Sequence, residues 1–181
     1  MTDSVLLEVT DRVATVTLNR PEKLNAFSDE MLYRLVARID ECAVRDDIGA
    51  VVLTGAGRGF CSGGDVSAMG SEADNRAHVT KEYIWTTIQM FPRCLARFDK
   101  PIIAAVNGVA TGGGLDLALA CDLRIASESA RFAETYARIG LLPGGGGAWF
   151  LPKLVGRAWA LEMLLGAEFI DAAEALRIGL V

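Results

Sequence analysis

Residues 102–118 read IIAAVNGVATGGGLDLA, an apolar run, a glycine-rich loop and a second apolar run in direct succession. The first run has the length and uniform hydrophobicity of a strand in a parallel sheet that is buried on both faces. The second run predicts a short helix, so the loop opens onto a helix N-terminus, where free N–H groups favour negative charge. Glycine lets the backbone of such a loop approach a ligand closely. The stretch therefore predicts a strand–loop–helix unit that carries a candidate binding loop.

A second loop has the same layout. Residues 51–54 (VVLT) predict another buried strand, and residues 59–65 (GFCSGGD) supply a second glycine-rich loop. Neither loop has the Gly-Lys-Ser/Thr ending of a Walker A loop, and the glycines of residues 55–59 lack the spacing of a dinucleotide fingerprint. Two helix N-termini at neighbouring strands could grip one oxygen together. The alternative is that both loops are only tight turns that allow close packing.

The remaining elements indicate an α/β protein with a single domain over residues 1–181. Ser28 offers an N-cap for an amphipathic helix, and residues 73–98 read as a long helix interrupted at Pro92. Residues 5–11 and 13–19 are predicted to form two strands joined by a tight turn near Asp11 and Arg12, a β-hairpin. Further elements are predicted as a strand at residues 122–126 and as helices at residues 149–154, 158–165 and 172–178.

Composition excludes several classes of function. With a net charge of -5, the chain lacks the excess of cations typical of a nucleic-acid binder. It has no apolar run long enough for a membrane span and no visible signal peptide, so we expect a cytoplasmic protein. The four cysteines form no C-x-x-C pair, and His78, the single histidine, lies in a polar stretch; no metal site is expected.

Four blocks, taken in order, resemble the crotonase (enoyl-CoA hydratase/isomerase) superfamily over residues 5–181. They are residues 19–26 (NRPEKLNA), 59–65, 104–122 and 140–147. The resemblance implies a spiral of β-β-α units with stacked sheets flanked by helices. It also implies an acyl-CoA substrate, with coenzyme A as part of that substrate and no separate cofactor, and a homotrimer or hexamer. The C-terminal lid and trimerisation helices of the family are expected to be absent from residues 1–181.

The resemblance also assigns roles by position. The amides of Gly64 and Gly113 would hold the thioester oxygen, and Asp116 would act as the acid/base. Asp116 lies one helical turn after Gly113, on the same face; the alternative is an acid that only favours the helix dipole. Aromatic residues could shape an acyl tunnel or simply fill the core; they are Trp85, Phe91, Trp149 and Phe150. The expected substrate-binding residues are Lys23, Leu24, Ala26, Ser62, Gly63, Asp65 and Gly112.

A second acid is missing from the positions where the family has one. Tyr136 stands where hydratases have a glutamate, and Gly144 stands where phenylacetate-degrading isomerases have an aspartate. We expect Tyr136 to stand in as a hydrogen-bond or proton donor; the alternative is that it only packs. Glu134 could reach the pocket if its segment is displaced, but we expect it to be structural, in an ion pair with Arg131 or Arg138. One carboxylate suits isomerisation better than hydration, which needs two groups.

The function predicted from the sequence is thus an acyl-CoA enzyme of the hydratase/isomerase type. The alternative is a weakly or non-catalytic acyl-CoA-binding member. A Clp-type protease, which would share the spiral fold, is disfavoured because no serine–histidine pairing is suggested by the sequence.

Overall fold

The computed structural model describes residues 3–65 and 77–181, with side chains in the second range described from residue 80 onward. The strands are β1 (Val5–Thr10), β2 (Val13–Leu18), β3 (Ala50–Gly55), β4 (Gly59–Cys61), β5 (Ile102–Val106), β6 (Val109–Thr111), β7 (Leu123–Ala126), β8 (Arg131–Ala133) and β9 (Ile170–Asp171). The α-helices are α1 (Asp29–Val44), α2 (Ala77–Tyr83), α3 (Met90–Leu95), α4 (Gly113–Leu119), α5 (Gly147–Leu154), α6 (Gly156–Leu161) and α7 (Ala172–Arg177).

The N-terminal strands form the predicted hairpin. β1 pairs antiparallel with β2, in a register that sets Val5 opposite Leu18 and Thr10 opposite Val13. The two-residue turn uses Asp11 and Arg12, both with positive φ (50° and 66°), as a tight hairpin of this hand requires. The predicted β-hairpin is confirmed.

Helix α1 begins at the predicted cap. The Ser28 hydroxyl accepts a hydrogen bond from the Met31 amide at 3.3 Å, which satisfies one of the free donors of the first turn. One face of the helix is buried, including Leu32, Leu35 and Ile39. That apolar stripe packs the helix onto the core, so most of the stability of α1 comes from tertiary packing.

The larger sheet has the spatial order β1-β2-β3-β5-β7. The strands β2, β3, β5 and β7 run parallel to one another, as expected for apolar strands separated by long connections. The predicted buried strands β3 and β5 are both confirmed, and they pair directly with each other.

A smaller sheet, of order β4-β6-β8-β9, is stacked with the first. Three of its four strands, β4, β6 and β8, have only three residues each, and β4 and β6 lie inside the segments interpreted from the sequence as glycine-rich loops. Three times in succession the chain passes from the larger sheet to the smaller sheet and then into a helix, as β3-β4-α2, β5-β6-α4 and β7-β8-α5. This succession is the spiral of β-β-α units with stacked sheets that the resemblance implies.

The prediction of a helix broken at Pro92 was wrong in its position. Residues 73–76 lie outside the described residues, and the later part consists of α2, a π-helical segment (Ile84–Ile88) and α3. Pro92 lies within the first turn of α3, where a missing N–H costs little, so the break falls before it, at Gln89.

All four cysteines are buried as free thiols. Cys61, on β4, donates its Sγ hydrogen to the Asn25 carbonyl at 3.1 Å, and burial raises the pKa of that thiol to about 12. Cys61 is therefore a packing residue. In the part of the chain that the structure describes, no helix combines the length and the hydrophobicity needed to cross a membrane.

Candidate active site

The two glycine-rich segments lie against each other. β4 and β6 pair in parallel, so the residues that follow them emerge at the same edge of the smaller sheet. A Cβ built on Gly63 would lie 3.0 Å from the Thr111 carbonyl oxygen and 3.4 Å from the Gly113 nitrogen. Gly63 also has φ of +94°, a conformation that favours glycine. The predicted meeting of the two loops is confirmed.

Two backbone N–H groups at this junction, those of Gly64 and Gly113, are not used in hydrogen bonds among the described residues. Phe27 pairs with the first loop through its own N–H to Gly63 (2.9 Å) and its carbonyl to the Asp65 N–H (2.9 Å). These bonds do not use the Gly64 N–H. Neither Gly64 nor Gly113 donates a backbone hydrogen bond to any residue in the described ranges. Gly113 opens α4, where the first N–H groups have no intrahelical partner.

Asp116 lies on the first turn of α4, beneath this junction. It is 2% exposed, and its Oδ2 accepts hydrogen bonds from the Tyr136 hydroxyl at 2.6 Å and from the Gly145 N–H at 3.1 Å. Burial raises the pKa of Asp116 above its ordinary value, while the Tyr136 hydrogen bond opposes that increase. The Tyr136 oxygen is only 3.3 Å from where a Cβ on Gly113 would stand. Tyr136 therefore connects the glycine junction to the carboxylate.

Glu134 was expected to form an ion pair with Arg131 or Arg138, and this was wrong. The residue is 1% exposed and neither carboxyl oxygen has a hydrogen-bond partner, while Arg138 instead pairs with Glu168 at 3.1 Å. The cause is the backbone: β8 places Ala133 opposite Thr111, which directs the next residue into the interior beside Asp116. Burial, and then the charge of Asp116, raise the pKa of Glu134 well above its ordinary value.

A buried carboxyl with a raised pKa makes stability depend on pH. The folded form of the wild type holds the proton that the unfolded chain releases above about pH 4.5. Its stability contribution is therefore complete below that pH and is lost as pH rises towards the folded pKa. We expect Glu134→Gln to gain stability relative to the wild type by up to about 1.4 kcal/mol per pH unit from about pH 5 upward.

Urea unfolding of both proteins between about pH 5 and pH 8 measures this difference. Glu168→Gln, at an exposed glutamate, is the matched control and should run parallel to the wild type. Parallel curves for Glu134→Gln as well would show that Glu134 ionises normally in the folded protein.

The expected substrate-binding residues at the N-terminal side form one connected surface. The Leu24 carbonyl accepts from the Ser62 N–H at 3.0 Å, and the Lys23 carbonyl accepts from the Ser62 hydroxyl at 3.3 Å. The Lys23 ammonium lies 2.8 Å from Asp65, which also pairs with Arg20 at 3.0 Å. Residues 20–26 are thus fastened along the first glycine loop, with Lys23 still half-exposed.

The other expected binding residues also lie at the junction. Ala26 is buried beside Phe27, and Gly112 has φ of +52° just before α4, with its N–H bonded to the Ala133 carbonyl at 2.9 Å. A Cβ on Gly112 would lie 3.1 Å from the Thr135 hydroxyl. All the site residues predicted from the sequence therefore belong to one region of the molecule.

An open cleft of about 410 Å³ lies next to Asp116. Its lining includes Gly145, whose amide binds Asp116, and the aromatic side chains of Trp149 and Phe150. Phe91 is instead fully buried in the core. Trp85 is exposed, and the Arg93 guanidinium carbon lies over it, 3.9 Å from the centroid of the Trp85 ring. Of the four aromatic residues, only Trp149 and Phe150 face this cleft among the lining residues that the structure describes.

Sequence reasoning favoured a structural ion pair for Glu134 over a place in the site. The missing signal was strand β8, whose three residues carry no alternating pattern long enough to be recognised. The side chain of His78 lies outside the described residues. In the described ranges, no group of three or more His, Cys, Asp or Glu side chains is arranged to hold a metal ion.

Comparisons with known proteins agree with this arrangement. A family model described as enoyl-CoA hydratase/isomerase matches residues 8–181. The short-chain-enoyl-CoA hydratase of Clostridium acetobutylicum is 43% identical over 180 residues, which cover 99% of this chain and 67% of that protein. The 1,2-epoxyphenylacetyl-CoA isomerase of Escherichia coli is 39% identical over 181 residues, covering 100% of this chain and 69% of that protein.

A similar fold is found among solved structures. The crystal structure of an enoyl-CoA hydratase from Bacillus anthracis superposes with a TM-score of 0.90 at 33% sequence identity, covering 99% of this chain and 69% of that one. The chain thus spans about two thirds of the length of these similar proteins.

Proposed function

Because the chain belongs to the enoyl-CoA hydratase/isomerase family, we propose that it moves a proton at the α-carbon of an enoyl-CoA thioester. It is an acyl-CoA enzyme of the hydratase/isomerase type. The observation that carries it is the hydrogen bond between buried Asp116 and Tyr136, whose hydroxyl oxygen lies 3.3 Å from the position that a Cβ on Gly113 would occupy.

The amides of Gly64 and Gly113 are proposed to hold the thioester oxygen. Removing an α-proton places negative charge on that oxygen, so fixed donors stabilise the enolate more than the ground-state carbonyl. The support is that the two loops touch and that both N–H groups are unused by the described backbone. The Phe27 ring packs against both positions: a Cβ on Gly113 would lie 2.6 Å from its Cζ, and one on Gly64 would lie 3.7 Å from its Cε2, so only glycine fits at Gly113 without moving that ring.

Asp116 is proposed to take the α-proton and to return a proton to the substrate. Its carboxylate is fixed by two donors on Oδ2, and the Tyr136 hydrogen bond favours the ionised form that a base requires. Burial and the nearby Asp116 charge raise the pKa of Tyr136 above its ordinary value, so Tyr136 acts as a donor and not as a base.

A double-bond shift is the reaction that this arrangement supports best. One fixed carboxylate suffices to carry a proton from one carbon to another, whereas hydration also needs a group that orients water. The names of the similar proteins include both a hydratase and an isomerase. A member that binds acyl-CoA without turnover is the second candidate, favoured by Tyr136 in the place of a second carboxylate.

The substrate's coenzyme A portion is proposed to lie along residues 20–26 and the first glycine loop. Lys23 would meet a phosphate as a point charge, and Leu24, Ala26, Ser62 and Asp65 would shape the path. We expect no separate cofactor. The apolar side chains exposed on the later half of the chain support assembly into a trimer or hexamer; they include Ile125, Leu142, Trp149, Leu165 and Leu176. Four buried free thiols are in keeping with a reducing, cytoplasmic location.

We expect Lys23→Ala to raise KM for an acyl-CoA substrate about fivefold with little change in kcat. The lysine is half-exposed and pairs with Asp65, so we expect it to contribute to binding alone, and Asp65 keeps Arg20 as a partner. Steady-state kinetics at low salt measure the change, with Lys81→Ala, another exposed lysine, as the control. A large fall in kcat would contradict the assignment to binding.

Incubation with crotonyl-CoA, a 3-enoyl-CoA and a saturated acyl-CoA in D₂O tests the function. Hydration, double-bond movement and α-proton exchange can be measured in the same samples by mass spectrometry and NMR. We expect double-bond movement or exchange, lost in Asp116→Asn. Tight binding of acyl-CoA without any of the three reactions would favour the binding-only candidate, and absence of both would refute the proposal.

A further inference from the structure

Two buried carboxyl groups face each other below the glycine junction. Oδ1 of Asp116 and Oε1 of Glu134 lie 2.6 Å and 2.5 Å from one point, the position that a Cβ on Gly147 would occupy. Neither of these oxygens has a hydrogen-bond partner, and both residues are at most 2% exposed. In the described ranges, no lysine or arginine forms an ion pair with either carboxyl. The absent side chain of Gly147 leaves the space between them open.

Two carboxylates cannot both be charged in such a place. Each loses its hydration on burial, and their mutual repulsion is strong where no water screens it. A proton between the two groups removes both costs, because a carboxylic acid donates a hydrogen bond to a carboxylate. Since both oxygens lie within 2.6 Å of one point, they are at most about 5 Å apart, and rotation of the side chains can bring them within reach of a shared hydrogen.

The contacts decide which group keeps the charge. Asp116 receives two hydrogen bonds on Oδ2, from the Tyr136 hydroxyl and the Gly145 N–H. Glu134 receives none on either oxygen. Hydrogen bonds to the charged form favour that form, so the negative charge belongs on Asp116 and the proton on Glu134.

We propose that Glu134 is a protonated positioning residue whose O–H donates to Oδ1 of Asp116, so that the pair carries one negative charge, on Asp116. Both oxygens of Asp116 are then hydrogen-bonded, and its carboxylate is held as the base. This inference rests on the proposed function only in giving Asp116 that task.

The proton balance of the step is simple. When Asp116 takes the α-proton, the C–H bond breaks, an O–H bond forms on Asp116, and the electron pair moves to the thioester oxygen. Glu134 keeps its own proton throughout. Return of the Asp116 proton to carbon restores the starting pair.

The titratable groups around Glu134 are few in the described structure. Asp116 faces it from α4 and Tyr136 from the segment Thr135–Ile139. The residue of α5 that faces it is Gly147, which has no titratable side chain. The charge of Asp116 and burial both raise the pKa of Glu134, which agrees with a proton held at neutral pH. Ionisation of Glu134 at alkaline pH would therefore set the upper limit of an active site that depends on it.

Infrared spectroscopy of the full chain without substrate tests the shared proton directly. We expect the wild type at neutral pH to show the carbonyl band of a protonated carboxylic acid, sensitive to D₂O, which disappears in Glu134→Gln and persists in the exposed control Glu168→Gln. The band should shift in Asp116→Asn and in Gly147→Ala, whose methyl group would separate the two carboxyls. Absence of the band, or a band that neither of these variants moves, would overturn the proposal.

Kinetics test the consequence for Asp116. Gln at position 134 keeps a hydrogen-bond donor and Met does not, so we expect Glu134→Met to be about tenfold slower than Glu134→Gln. The wild type should lose activity at alkaline pH as Glu134 ionises, and Glu134→Gln should lack that loss. Equal rates for Gln and Met with unchanged pH profiles would show a purely structural role and overturn the proposal.

The two readouts separate the inference from the function on which it rests. A protein that turns over no acyl-CoA but shows the coupled band would refute the proposed function and keep the shared proton. A protein that turns over acyl-CoA without the band would keep the function and refute the shared proton.

Discussion

Asp116→Asn is expected to slow α-proton exchange and double-bond movement about a thousandfold while leaving acyl-CoA binding nearly unchanged. Asn has almost the same shape, and its side-chain oxygen can still accept from the Tyr136 hydroxyl and the Gly145 N–H. What it lacks is a basic oxygen pair. The substitution therefore removes the proton acceptor and keeps the site around it.

The measurement combines exchange in D₂O with calorimetric binding of a saturated acyl-CoA. Asp46→Asn, the same chemical change at an exposed loop position, is the matched control. Exchange at the wild-type rate in Asp116→Asn would show that another group takes the proton. Loss of binding together with exchange would instead point to a role of Asp116 in holding the loops.

Gly114→Ala is expected to lower kcat/KM at least about a hundredfold and to cost about 3 kcal/mol of stability. A Cβ on Gly114 would lie 2.0 Å from the Cys61 carbonyl oxygen and 2.6 Å from its carbon. These are backbone atoms of β4, so no side-chain movement can relieve the overlap. The whole strand must retreat, which separates the first glycine loop from the start of α4.

Gly49→Ala is the control for this change. Its Cβ would meet the Arg12 carbonyl at 3.7 Å, an ordinary contact, at an exposed position. Urea unfolding and kinetics under conditions where both proteins are folded separate the two effects. A folded, fully active Gly114→Ala protein would show that the contact between the loops is not needed for the reaction.

The elements predicted well from the sequence are those whose pattern is long. The hairpin, the Ser28 cap and the buried strands β3 and β5 each have five or more residues of clear periodicity or an explicit capping residue. The loop residues Gly64, Gly113 and Asp116 were found because four sequence blocks occur in the family's order. Strength of local pattern, together with the motif, decided what could be foreseen.

The smaller sheet could not be foreseen for a physical reason. Strands β4, β6 and β8 have three residues each, and glycine within or beside β4 and β6 carries little strand propensity. These strands exist because parallel neighbours pair with them, which is a tertiary effect. Glu134 was misassigned for the same reason, since only the pairing of β8 with β6 shows which way it points.

Chemical labelling of the Cys61 sulfur would measure how often the two glycine-rich loops separate. Its thiol is buried on β4, the strand that leads into the first of those loops, and burial raises its pKa so far that little of the thiolate that attacks an alkylating reagent forms there. Labelling at this atom must wait for β4 to leave its neighbours. Mass spectrometry of the labelled peptide, followed over time with and without acyl-CoA, would therefore measure the rate of local opening around β4. The labelled atom takes no part in the proposed chemistry.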